Sequence, residues 1–133
     1  MRMKTCLSLS DANAMVAAAK EAALRKSLPV AIVVVDEAGH PVQLERLDGA
    51  GPTAGTIAGM KASTAALYKI ATKDMEAMAK HYPGLALPHF LPIQGGLPVF
   101  AKGECVGGIG VSGASAQDDE DTAKAGLAAF ETA

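Results

Sequence analysis

Tryptophan is absent from the 133-residue chain, and three phenylalanines and two tyrosines are its only aromatics, so bulky rings cannot fill its interior. Cysteine is nearly missing too. Cys6 and Cys105 are the only two, without the C-x-x-C spacing of a redox or zinc motif, and they read as free thiols of a reducing compartment. No apolar run is long enough to span a bilayer. Ser8, Ser10 and Asp11 interrupt the start too early for a signal-peptide core, so the expectation is a cytoplasmic protein without a membrane partner. Charge of one sign is scarce as well. The formal net charge is −2, and no run of Lys or Arg is present to neutralise a phosphate backbone, which excludes nucleic acid as a partner.

What is present is alanine, glycine and β-branched apolar residues, a composition for close backbone packing. The length is that of one domain, expected over residues 1–133, and it buries enough surface to fold without disulfide or metal. Met15, Val16, Ala19, Ala22 and Ala23 recur at helical spacing behind Ser10, read as an N-cap, and the helix stops before Pro29. Residues 30–35 (VAIVVV) read as a strand buried on both faces, with a turn at 36–39 and a more exposed partner strand over 41–47. A small-residue helix is predicted over 56–71, a short one from Thr72 to Lys80, and an irregular loop over 81–92. A second hairpin follows (97–101 and 105–111), then a last helix over 118–130. With a short strand near Ile93, this gives an α+β fold: a mainly antiparallel sheet of about five strands with helices on one main face.

Several segments carry chemistry. Gln94-Gly95-Gly96 allows a ligand to approach backbone N–H groups, or simply makes a tight turn into a strand. Lys61, on an Ala-rich helix, is suited to anchoring an anion or to an ion pair with Asp36 or Asp48. Arg46 is suited to clamping a carboxylate, and Asp36, Arg46 and Asp48 alternatively fix the hairpin. Of His40, His81 and His89, the last lies nearest the Gly-Gly segment. None stands in an HExxH or HxxxH pattern, so no metal site is predicted. The acidic run 117–121 lacks EF-hand spacing and reads as a solvated helix start. The 110–114 segment (GVSGA) lacks the strand-to-helix elbow of a serine hydrolase, and the 107–110 segment (GGIG) is not a dinucleotide fingerprint.

Taken in order, VAIVVVDEAGHPVQLERLDGA, GMKASTAA, IQGGLPVF and GECVGGIGVSGASAQDDEDTAKAGL resemble the GlcG/HbpS family, the haem-degrading domain that includes the C-terminal domain of PduO-type proteins. The likeness runs from about Leu9 to Phe130. It implies a profilin-like fold and homo-oligomers, from dimers to octamers. It also implies haem or a related tetrapyrrole as cofactor for some members, and a lysine at the position of Lys61. Two functions from different classes follow. The first is a small-ligand-binding protein with a pocket at a subunit interface, lined by Asp36, Arg46, Lys61, His89, Gly95 and Gly96. The alternative is an isomerase, tautomerase or lyase acting on a small carboxylate, with Lys61 or His89 as catalytic proton carrier. An accessory assembly protein without ligand chemistry is a third, blander reading.

Overall fold

The structure, a computed structural model, describes residues 1–84 and 90–132. Helices α1 (Leu9–Arg25), α2 (Ala54–Tyr68), α3 (Thr72–His81) and α4 (Ala116–Glu131) alternate with strands β1 (Ala31–Asp36), β2 (Pro41–Arg46), β3 (Gly96–Ala101) and β4 (Glu104–Ser112). The sheet is antiparallel in the order β2-β1-β4-β3. Among the described residues it has four strands, not the five expected. Around Ile93 the chain makes a local bond from the Ile93 N–H to the Leu91 carbonyl and joins no ladder.

β1 explains the layering. Its side chains alternate between faces, and all of them as far as Val35 are buried. Ile32 and Val34 pack with Met15, Val16 and Ala19 of α1 and Ala123 of α4. Ala31, Val33 and Val35 pack with Ala54, Ala58, Ala62 and Ala66 of α2. The helices therefore cover both faces of the sheet, which corrects the expectation of one main face. A strand apolar on both sides needs two covers.

α2 lies very close to β4. A methyl group at Gly108 would overlap the Ala62 carbonyl, and one at Gly110 the Ala58 carbonyl. Gly108 and Gly110 thus permit backbone contact with a helix of alanines.

Local signals end the elements. α1 begins two residues earlier than read: Ser8, not Ser10, is the N-cap, and it forms a capping box with Asp11. Thr72 does not cap α3. Its hydroxyl accepts the Gly96 N–H at 2.8 Å and ties α3 to β3. On edge strand β2, the Gln43 side chain accepts the Leu44 N–H while donating to Asn13 on α1. Pro98 removes a donor from edge strand β3. Both edges are thereby blunted against strand addition.

Candidate functional site

The sequence-predicted candidates fall into separate places. Lys61 is 2% exposed. Its side chain passes Gly95 and donates to the Val111 carbonyl at 2.9 Å and to Asp119 Oδ2 at 3.1 Å. Its partner is thus Asp119 of α4, not Asp36 or Asp48. Asp119 Oδ1 accepts the Ala114 N–H at 2.9 Å. Burial pushes the Asp119 carboxyl up, against the opposing pull of the Ala114 N–H and the Lys61 ammonium. The acidic start of α4 is therefore not all solvated, since Asp119 and Glu120 are both buried.

Gly95 and Gly96 do lie beside Lys61. A methyl at Gly95 would come within 2.8 Å of the Val111 carbonyl and 2.9 Å of Lys61 Nζ, and one at Gly96 would overlap the Lys61 carbonyl. These glycines leave room for α2 and its lysine. Asp36 and Arg46 sit at opposite ends of the first hairpin. The Asp36 N–H donates to the His40 carbonyl, whereas Arg46 faces Ala31. Asp36 Oδ1 accepts the N–H groups of Ala38 and His40, so it fixes the turn. Arg46 is exposed, and among the described residues no carboxylate pairs with it. His40 and His81 are exposed, and His89 lies outside the described residues. No three His, Cys, Asp or Glu side chains cluster for a metal ion among the described residues. No described helix is long and apolar enough to cross a membrane.

The feature that sequence reasoning missed is a groove of about 300 Å³ between α2 and β2. β2 and α2 both flank β1, but α2 leans towards β4 and leaves the same face of β2 uncovered. Val33, Val35, Pro41 and Leu44 form the sheet wall, while Gly55, Thr56, Gly59, Met60 and Ser63 form the helix wall. No charged side chain lines it. The Ser63 hydroxyl donates to the Gly39 carbonyl at 2.8 Å and holds the hairpin turn against α2. The signal was available in Gly55 and Gly59, one turn apart on a helix otherwise built of alanine and larger residues. Both positions have open space, because a methyl at Gly59 would touch only Val33, at 4.0 Å.

One end of the groove is electropositive. Thr53, the N-cap of α2, makes no side-chain cap, and the first turn contains no acid. The Ala54 and Ile57 N–H groups have acceptors before the helix, but no such bond takes the N–H groups of Gly55 or Thr56. Arg46 follows Leu44 on the same face of β2, because residues two apart along a strand share a face.

An α+β domain with a sheet between helix layers, and an uncharged groove ending at a bare helix start, is a small-ligand domain in class. The family described as "Haem degrading protein HbpS-like" matches residues 7–128, and the chain belongs to this family. It is 37% identical to Protein GlcG of Escherichia coli K12 over 114 residues, which is 84% of this chain and 85% of GlcG. It is 31% identical over 132 residues to the corrinoid adenosyltransferase PduO of Salmonella typhimurium LT2, covering 93% of this chain but 39% of PduO. Among solved structures, a double mutant of Streptomyces reticuli HbpS matches with a TM-score of 0.91 and 38% identity, covering 96% of this chain and 89% of that one. A PduOC:heme complex matches with a TM-score of 0.85 and 30% identity, covering 94% and 95%.

Proposed function

We propose that the protein binds a tetrapyrrole, haem being the first choice, in the groove between α2 and β2, with a second copy of the chain closing the open side. The observation that carries this reading is the groove itself. Its walls are Val33, Val35, Pro41, Leu44 and Met60, and none of its lining is charged. About 300 Å³ is at the lower limit for a small-molecule site, so a macrocycle lies partly outside it and needs a further wall. The family description and the haem-bound PduOC relative supply the ligand class.

The residues fit such a group chemically. The apolar walls take the ring. The carboxylates of the ring's side chains suit the Gly55 and Thr56 N–H groups, and Arg46, outside the groove lining but two residues beyond Leu44 on the same strand face, is a further candidate to hold them. Haem supplies iron-centred redox and oxygen chemistry when bound, whereas the chain supplies shape and charge. Lys61, Gly95 and Gly96 act at one remove by fixing α2 against the sheet, and Asp36 acts by fixing the turn that brings Gly39 and Pro41 to the groove. The isomerase, tautomerase or lyase reading has less support, since among the described residues the groove lining contains no carboxylate, imidazole or amine.

Titration with metal-free protoporphyrin, followed by fluorescence, tests the site. Wild type is expected to bind saturably. Gly59→Leu fills the groove, its Cβ meeting only Val33 at ordinary contact distance, and is expected to lose about tenfold or more in affinity while remaining folded. Equal binding by Gly59→Leu places the ligand elsewhere and removes the reading. Sedimentation at increasing concentration tests for the second copy.

A further inference from the structure

The groove lining has one soft donor, and its position is fixed by the buried tether next to it. Resting on the tetrapyrrole reading above, we infer that Met60 would offer its thioether sulfur as a donor to the iron of a tetrapyrrole held in the groove. Among the described lining residues, Thr56, Met60 and Ser63 are those that carry a side-chain heteroatom, and His89 lies outside the described residues. The Ser63 hydroxyl is engaged by the Gly39 carbonyl. Thr56 lies at the electropositive end, where the carboxylates go. Neither Cys6 nor Cys105 lines the groove, and nor do the imidazoles of His40 and His81. Thioether sulfur is an established haem-iron donor, and an aliphatic hydroxyl is a poor one.

Placement agrees. Met60 lies one turn after Thr56 and one turn before Ser63, so all three share the helix stripe facing the groove. Its neighbour Lys61 points the other way and is locked to Val111 and Asp119, which fixes how α2 is rotated about its axis. Met60 is 44% exposed although it borders an apolar cavity, so its side chain is not spent on core packing. Its three rotatable bonds would let the sulfur adapt to a ligand seated in the groove.

The test compares wild type, Met60→Leu and Met60→His with two probes, hemin and metal-free protoporphyrin. Protoporphyrin affinity is expected to fall less than hemin affinity in Met60→Leu, because leucine keeps the apolar wall. Hemin affinity is expected to fall about tenfold in Met60→Leu, with loss of the sulfur-ligated absorption and electron paramagnetic resonance signature. Met60→His is expected to restore hemin affinity with a nitrogen-ligated signature. If Met60→Leu keeps both hemin affinity and spectrum while protoporphyrin binding is intact, Met60 is not the donor, and the groove assignment survives. If wild type binds neither probe, the groove assignment fails and this inference fails with it.

Discussion

Lys61 on α2 and Asp119 on α4 meet at 3.1 Å although their helices lie on opposite faces of the sheet. The lysine reaches across at the start of β3, where Gly95 has no side chain to obstruct it. Both groups are nearly inaccessible, and each has a backbone partner besides the other. The pair is therefore a tether between two helical layers, and removing one partner strands a buried charge.

Lys61→Met is accordingly expected to cost about 3 kcal/mol near neutral pH. The pH dependence has a definite sign. A carboxyl whose folded pKa is raised contributes stability that is complete below its unfolded pKa and is lost as pH rises through the folded value. Burial already raises Asp119, and loss of the ammonium raises it further. The deficit of Lys61→Met relative to wild type should thus shrink on acidification. Urea unfolding of both proteins at about pH 5 and about pH 8 measures it. A deficit unchanged or larger at the lower pH refutes the tether.

Backbone contact between α2 and β4 predicts an asymmetry among glycines. Gly110→Ala must displace the Ala58 carbonyl and is expected to cost about 3 kcal/mol or more. Gly51→Ala meets nothing within 4 Å and is expected to be neutral or stabilising by up to about 1 kcal/mol. Thermal melts of the two variants give the comparison.

The α1 capping box gives a second pH effect, of opposite sign. The Ser8 hydroxyl and N–H both donate to Asp11 Oδ2 and hold its carboxyl below the usual range. A depressed folded pKa contributes stability that is present above the unfolded pKa and is lost as pH falls through the folded one. Ser8→Ala is expected to cost about 1 kcal/mol near neutrality. That cost should decline in acid, where protonated Asp11 no longer completes the box in wild type. Chemical denaturation across the acid range reads it directly.

Arg46 separates charge recognition from apolar recognition. Arg46→Ala is expected to weaken protoporphyrin binding about fivefold to tenfold and to leave the dimethyl ester of protoporphyrin unaffected. An equal loss for both compounds assigns Arg46 a structural part instead.

Much of the fold was legible from residue pattern. The unbroken apolar run 30–35 required a doubly covered strand, and the structure buries it from both sides. The two hairpins fell where turn residues marked them. Helix caps were less legible, because Ser8 and Ser10 both satisfy the local chemistry, and only the reciprocal bonds to Asp11 distinguish them. Asp119 was hidden in an acidic run that looks uniformly solvated. Its burial depends on Lys61, 58 residues away along the chain.

The sequence by itself determined the α+β class, the element order, the close-packed alanine and glycine character, and the family likeness, because these rest on local periodicity and on residues next to one another. The tertiary structure decided that Lys61 is a tether, that Gly95 and Gly96 make room for a helix, and that an uncharged groove opens beside Met60. Each of these depends on which backbones come into contact across the sheet, and no local pattern encodes the distance between segments far apart in the chain.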